Sequence, residues 1–221
     1  MNFLQLCQQV RQEAGIASNG PSTVGSQTGE MKRLVDWVAQ AWVEIQEARN
    51  DWEWMRQSIS FDTVAGQQIY APSLGMVARW KEDSFRSFRA SAGVGTEIFL
   101  ANCNYTTFRD YYLFGSRQSL TTSPVTVSVM PDKSLILGPI PDDIYTVRGE
   151  YYKVPQTLAS DTDVPDMPAR FHWAIIHKAL MKYGSYEAAM EVIQEQSGLY
   201  SAMFSRLEAE QAPQITVELG F

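Results

Sequence analysis

The spacing of apolar residues changes twice along the 221-residue chain, from three or four residues to two and back again. Spacing by threes and fours predicts amphipathic helices, whereas spacing by two predicts strands. Helical spacing covers residues 1–57 and 156–211, and strand spacing with turn signals covers residues 58–155. We therefore predict an α+β fold in which a helical bundle domain (1–57 and 156–211) carries an inserted, antiparallel β-rich domain (58–155).

The helical domain is predicted to contain a short helix, a long helix and a C-terminal helix hairpin. Residues 2–14 carry one apolar face and predict the short helix. A long helix is expected from residue 28 to about residue 56, after a loop rich in Gly, Ser and Thr. Residues 169–183 and 186–211 are predicted to pack as an antiparallel pair, because the Gly184–Ser185 turn between them is short.

The β domain is predicted from two candidate hairpins and one long strand. The segment SISFDTVAGQQIYAP (58–72) indicates strand, Ala-Gly turn and strand. The segment PVTVSVMPDKSLILGPIP (124–141) predicts a second hairpin with its turn at Pro-Asp-Lys. Residues 144–154 predict a further long strand, and a short helix is expected within residues 105–115.

The charge balance limits the partners that the chain can bind. It has 18 Lys and Arg against 25 Asp and Glu, which gives a net charge of −7. Because such a surface repels phosphate groups, tight binding to nucleic acid is not expected. No apolar run reaches the about 18 residues of a membrane span, and no secretion signal begins the chain. We expect a protein kept in the cytosol, or in an assembly formed there.

Histidine and cysteine show no arrangement typical of a metal centre. His172 and His177 lie five residues apart on one predicted helix, so their side chains point about 140° apart and cannot converge on one ion. Cys7 and Cys103 lack the paired spacing of a zinc site or a disulfide framework. These residues therefore predict neither a bound metal nor a disulfide.

Two further segments could carry chemistry, and for each a structural role is favoured. Asp161, Asp163 and Asp166 could coordinate calcium, but carboxylates in a proline-containing linker (155–168) more often cap helices in solvent. The segment GVGTEI (93–98) begins like a dinucleotide-binding loop and lacks its third glycine. We therefore predict no catalytic residues, no metal, no cofactor and no enzymatic activity.

Aromatic residues make up 12% of the chain, and such residues are favoured both in cores and at interaction hot spots. Core packing and subunit contact are both open for the helical domain. The residues of a possible subunit interface are Trp37, Trp42, Trp52, Trp54, Tyr200 and Phe204. In the β domain, an aromatic set could instead stack on sugars. Its members are Tyr111, Tyr112, Phe114, Tyr151 and Tyr152.

The final segment, APQITVELGF (212–221), has strand character without a hairpin partner of its own. Its apolar residues are Ile215, Val217, Leu219 and Phe221. Ordering the backbone costs about as much free energy as burying these four side chains yields. We therefore predict an extended C-terminal arm that becomes ordered when it pairs with a partner.

Three segments together resemble the head-to-tail adaptor proteins of tailed bacteriophages, with a likeness that spans about residues 28–211. They are WEWM (52–55), TVAGQQIYAP (63–72) and DMPARFHWAIIHKALMKYG (166–184). The positions that match the family pattern are Thr63, Gly66, Gln67, Tyr70, Pro72, Pro168, His172 and Ala179.

The resemblance implies a structural virion protein of the neck, the head–tail junction, assembled in the host cytoplasm. It implies a homo-oligomeric ring, usually of twelve copies, that docks beneath the portal protein and contacts a tail, nozzle or tail-completion protein below. DNA would pass through the channel of this connector without specific binding, and acidic positions of the bundle would face the channel. No contact with a membrane is expected. The arm would reach the portal or a neighbouring subunit. The alternative is a tail or baseplate component with a carbohydrate-binding β domain.

Overall fold

The structure is a computed structural model that describes residues 1–17, 20–72 and 74–213. The α-helices are α1 (Phe3–Glu13), α2 (Gly29–Glu47), α3 (Tyr105–Phe108), α4 (His172–Tyr186) and α5 (Met190–Gln211). The strands are β1 (Arg56–Asp62), β2 (Ile69–Tyr70), β3 (Val77–Arg89), β4 (Ile98–Phe99), β5 (Ala101–Asn102), β6 (Thr126–Val129), β7 (Leu135–Gly138) and β8 (Tyr145–Lys153). The predicted α+β class is confirmed.

The chain forms two compact units. The helical unit contains Met1–Met55 and the described residues from Pro155 onward, and the β unit contains Arg56–Val154. Each unit has its own buried apolar residues.

The first helix of the helical unit begins where the sequence places a cap. The Asn2 side chain accepts a hydrogen bond from the Gln5 backbone N–H, and the Gln5 side chain accepts one from the Asn2 N–H, both at 2.9 Å. This reciprocal pair satisfies donors that the first helical turn leaves free. Phe3, Leu6 and Val10 bury the apolar face of α1.

The second helix is shorter than the pattern predicts. It ends at Glu47 and is about 28 Å long, whereas we expected it to run from residue 28 to about residue 56. A polar Arg-Asn-Asp stretch follows, and the chain turns back. The indole N–H of Trp52 donates to the carbonyls of Ile45 and Gln46 at 3.2 Å each, so it satisfies the free carbonyls at the end of the helix.

The C-terminal helix hairpin is present, but its turn lies later than predicted. Helix α4 continues through Gly184 to Tyr186, and the connection contains Ala188 with a positive φ of 56°. Gly184 lies at the helix crossing, where an added Cβ atom would be 3.0 Å from Cγ1 of Ile193. The glycine therefore permits close packing of α4 on α5 and does not make the turn.

The β unit contains two sheets of four strands. The first sheet has the order β1-β8-β3-β4, and all its neighbours are antiparallel. The second sheet has the order β2-β7-β6-β5, in which only the two-residue β5 runs parallel to its neighbour among the described strands. Buried side chains from both sheets form one apolar core, which includes Trp80, Phe85, Leu135, Leu137 and Val147.

The predicted hairpin in residues 58–72 is wrong. Strand β1 pairs with β8, and β2 pairs with β7, so the two strands of the expected hairpin belong to different sheets. The intervening turn is fixed from elsewhere, because the Gly66 N–H donates to the carbonyl of Pro141 and the Thr63 N–H donates to that of Tyr145. The segment therefore crosses from one sheet to the other.

The second predicted hairpin and the long strand are confirmed. Strands β6 and β7 pair in antiparallel register around the Pro-Asp-Lys turn, where Lys133 has a φ of 68°. Strand β8 matches the predicted residues 144–154. The sequence patterns missed β3, the longest strand described, because a register shift between Lys81 and Arg86 interrupts its alternation.

Candidate interaction surfaces

The two histidines have structural partners in the helical unit. His172 is buried, its Nδ1 atom lies 2.8 Å from the amino group of Met1, and its Nε2 atom lies 3.3 Å from the carbonyl of Met167. Burial, and then the positive charge of the amino terminus, lower the pKa of His172 below its ordinary value of 6.5. His177 bonds to the side chain of Gln196 at 2.7 Å. Both imidazoles therefore hold segments of the bundle together.

The linker aspartates are also occupied by backbone contacts. Asp161 accepts a hydrogen bond of 2.6 Å from the N–H of Val24. Asp163 accepts bonds from the N–H groups of Ala159 and Ser160, and these bonds lower the pKa of its carboxyl. Within residues 1–17, 20–72 and 74–213, no group of three His, Cys, Asp or Glu residues lies close enough to hold a metal ion.

The cysteines of the described chain are free thiols. Cys7 is fully buried in α1, and burial, followed by the charge of Asp161, raises the pKa of its thiol to about 12. Burial also raises the pKa of Cys103. Because the thiolate is the reactive form, neither thiol is activated for nucleophilic chemistry.

Two of the six aromatic residues expected at a subunit interface are core residues. Trp42 and Trp52 are fully buried in the helical unit. The indole N–H of Trp42 donates to the side chain of Gln156 at 3.2 Å, and that of Trp52 binds the end of α2. Their side chains therefore have no surface with which to contact another subunit in this structure.

Trp37 and Trp54 are half-buried. The ring of Trp37 packs against Tyr183 and Tyr186, with centroid distances of 6.1 and 5.6 Å. The ring of Trp54 stacks on Trp52 at 4.4 Å, and its indole N–H has no hydrogen-bond partner among the described residues. Subunit contact stays a prediction for both residues.

Tyr200 and Phe204 lie on α5, the least buried long helix. Their rings stack at 5.3 Å, and burial followed by the charges of Glu44 and Glu208 raises the pKa of Tyr200 to about 12. Of the 22 residues of α5, only Leu207 is buried. Both aromatic residues are half-exposed, so they too keep surface for a neighbour, and contact there stays a prediction.

The N-terminal turns of α5 carry an exposed acidic stripe. Glu191 and Glu195 are exposed and lie four residues apart on the helix, which places them along one side. The apolar side chains beside them are exposed as well, with 62% of Met190 and 46% of Leu199 accessible. A mixed acidic and apolar surface of this kind is suited to a partner with basic and apolar groups.

A basic concavity of about 670 Å³ lies on the outer face of the first sheet, beside the register shift in β3. Arg56 donates two hydrogen bonds to Glu150, at 2.9 and 2.6 Å, and forms one wall. Arg86 and Arg148 form another wall together with the exposed ring of Phe99. The lining of this concavity contains two carboxylates, Asp83 and Glu150, and four cationic side chains, which are Arg56, Lys81, Arg86 and Arg148.

The aromatic set proposed for sugar stacking is mostly buried. Tyr112, Tyr151 and Tyr152 are at most 9% exposed. Tyr111 and Phe114 are exposed, but they lie against arginine side chains, with the guanidinium of one arginine 3.7 Å from the Tyr111 ring centroid. Two rings do not make the broad platform that the carbohydrate alternative requires.

Acidic charge is concentrated in the helical unit. The β unit, residues 56–154, contains 10 Lys and Arg and 9 Asp and Glu, whereas the rest of the chain contains 8 and 16. No helix in the described part of the chain is long and apolar enough to cross a membrane. The predicted arm residues Ile215, Val217, Leu219 and Phe221 lie outside the described residues.

The sequence patterns did not single out Arg86 and Arg148. The two residues are far apart in the chain, and only the pairing of β3 with β8 brings them together. The available signal was the spacing of Arg86 and Phe88 by two residues, which places both on one side of β3, a strand that the sequence patterns missed.

Comparison with known proteins gives one family. The family model described as SU10 adaptor protein matches residues 1–217, and so covers both units. A search of the curated proteins gives no match.

Proposed function

The chain belongs to the SU10 adaptor protein family, a family of phage structural adaptors, and on that premise we propose that it forms a ring at the head–tail junction of a virion. In this proposal the ring docks beneath the portal, joins the capsid vertex to a tail or nozzle protein, and surrounds the path of the DNA. The observation that carries the proposal is the family match across both units.

The surface of the helical unit supports assembly with further copies. Helix α5 leaves most of its length exposed, including Met190 and Leu199. A shallow apolar depression of about 260 Å³ lies between α2 and the linker, where Val43 and Leu158 contribute to its walls. Because apolar surface is covered at interfaces, both features are suited to contact between subunits.

The distribution of charge supports a channel that does not grip DNA. The helical unit contains twice as many acidic as basic residues, 16 against 8. Attraction between many subunits and the phosphate groups would hold the genome in place, whereas repulsion permits sliding. We place acidic positions of the helical unit along the channel.

The C-terminal arm, residues 212–221, is part of this proposal. Its alternating apolar residues suit pairing with the edge of a sheet. That sheet would belong to the portal or to a neighbouring subunit. Ring closure itself requires a heterologous interface, in which one patch of each copy meets a different patch on the next.

Electron cryo-microscopy of the full chain mixed with purified portal protein tests the proposal. We expect a ring of the chain stacked coaxially on the portal, with a central hole wide enough for duplex DNA. If the chain shows no binding to the portal and no ring in any preparation, the proposal is wrong. A tail-spike or baseplate protein tested in place of the portal controls for indiscriminate association.

A further inference from the structure

Two arginines lie directly opposite each other on neighbouring strands of the first sheet. Arg86 of β3 and Arg148 of β8 are paired in register, and their side chains are 46% and 50% exposed. Like charges placed directly opposite across two strands destabilise a sheet. The pair therefore needs a compensating anion.

Glu97 supplies only part of that compensation. Its carboxylate lies 3.3 Å from Arg86 and 4.0 Å from Arg148. Each guanidinium carries five N–H donors, so one carboxylate leaves most of the ten without an acceptor among the residues that the structure describes. A net positive charge and several outward-facing donors remain at the wall of the concavity.

Aromatic rings hold both guanidiniums in place. Arg86 lies 3.9 Å above the ring centroid of Phe99, and Arg148 lies 4.9 Å above that of Phe88. Cations stacked on rings lose rotamer freedom in the free protein, which reduces the entropic cost of a later ionic contact. Phe99 is itself 63% exposed, so an apolar ring surface borders the arginines.

The acidic stripe of α5 is complementary to this surface in charge and in composition. Glu191 and Glu195 are one turn apart, a spacing at which like charges destabilise a helix. In the described part of the chain, neither carboxylate forms an ion pair. Met190 and Leu199 add apolar surface beside them, as Phe99 does beside the arginines.

We propose that the Arg86–Arg148 surface of one copy binds the Glu191–Glu195 stripe of α5 in the neighbouring copy. This inference rests on the proposed ring. Each surface holds a pair of like charges that is unfavourable in the free protein and favourable once the other surface covers it. The two patches are different and lie in different units, so their contact is heterologous, as a closed ring requires.

Neutral variants give the mildest test. R86Q/R148Q and E191Q/E195Q each remove the ionic contacts, and E191Q/E195Q does so without changing side-chain size. For two exposed ion pairs we expect the dissociation constant of one interface to rise roughly 2- to 30-fold. Assembly of the wild-type chain should weaken with added salt, and that of the variants should respond less.

Exchanged charges give the sharper test. R86E/R148E and E191K/E195K should each fail to assemble alone, because like charges would face each other at every contact. An equimolar mixture of the two should assemble, since alternating copies restore opposite charges at every interface. The chain that carries all four substitutions should also assemble. Mass photometry and negative-stain imaging, with and without portal protein, measure each case.

Controls separate the contact from folding and from the ring itself. R109E/R117E reverses two cations elsewhere in the β unit and should assemble like the wild type. Circular dichroism checks that every variant is folded, which matters because Glu191 also favours the first turn of α5.

Normal assembly of R86E/R148E, or no rescue by the mixture, overturns the inference while the ring stands. Absence of wild-type assembly with the portal overturns the ring.

Rescue by the fourfold variant alone, without rescue by the mixture, also overturns the inference. That result would place the contact within one chain, because charges exchanged between separate copies would then never meet. Rescue by both preparations is the expected result.

Discussion

Substitution of Trp52 by alanine should destabilise the helical unit strongly. The side chain is fully buried, it stacks on Trp54 at 4.4 Å, and it meets the edge of Phe204 at 5.8 Å. Removing a buried tryptophan costs about 3–5 kcal/mol, because apolar contacts are lost and a cavity remains. Domain stabilities are of the order of 5–15 kcal/mol, so the change should be evident in any unfolding experiment.

A conservative variant isolates the hydrogen bonds from the packing. Trp52→Phe retains most of the ring but removes the N–H that donates to the carbonyls of Ile45 and Gln46 at 3.2 Å. Leaving buried helix-end carbonyls without this donor should cost about 1–3 kcal/mol. The expected order of stability is therefore wild type, Trp52→Phe, then Trp52→Ala.

Urea unfolding followed by far-ultraviolet circular dichroism measures these changes, with protein dilute enough to avoid assembly. Trp37→Ala is the matched control, because that ring is half-buried against Tyr183 and Tyr186 and should cost only about 1–2 kcal/mol. Equal losses for Trp37→Ala and Trp52→Ala would refute the assignment of Trp52 to the core. Loss of assembly in Trp52→Ala without loss of stability would do the same.

Three further predictions concern pH, packing and the arm. The pKa of His172 is lowered in the folded state, so its contribution to stability is fully present above the unfolded pKa of 6.5 and is lost as pH falls below it. His172→Gln should therefore flatten the dependence of stability on pH below about pH 6.5, and an unchanged slope would contradict this. Gly149→Ala places a Cβ atom 2.5 Å from the ring of Phe85 and should cost about 1–3 kcal/mol in thermal unfolding, with partial recovery when Phe85→Leu is added; additive losses would count against it. Deletion of residues 213–221 should abolish docking onto portal particles in a sedimentation assay while leaving the fold intact. Undiminished docking would show that the arm does not bind the portal.

Features of the fold that depend on local sequence were predictable. The cap at Asn2, the apolar face of α1 and the β6–β7 hairpin each follow from residues close together in the chain. Pairings that depend on distant segments were not. The residues of β1 and β2 suit a local hairpin, but β1 pairs with β8 and β2 pairs with β7, both far away in the chain.

The interaction surfaces were predictable only in part. Richness in aromatic residues indicated an interface or a core without telling which, and the structure places Trp42 and Trp52 inside the bundle. The burial of Trp52 depends on where α2 ends. The polar Arg-Asn-Asp stretch that follows the helix is also compatible with helical structure, so the sequence did not place that end. The Arg86–Arg148 pair arises from strand register, which no local pattern encodes.

The mass of the particle that the chain forms tests the central claim most directly. Each chain has a mass of 24.9 kDa, so a ring of twelve copies would have a mass of about 300 kDa before any portal is counted. Mass photometry of the full chain, alone and on purified portal protein, should show a particle whose mass is a whole-number multiple of the chain mass, as expected for a closed ring. A species that stays at 24.9 kDa in both conditions, at every concentration tested, would contradict the account.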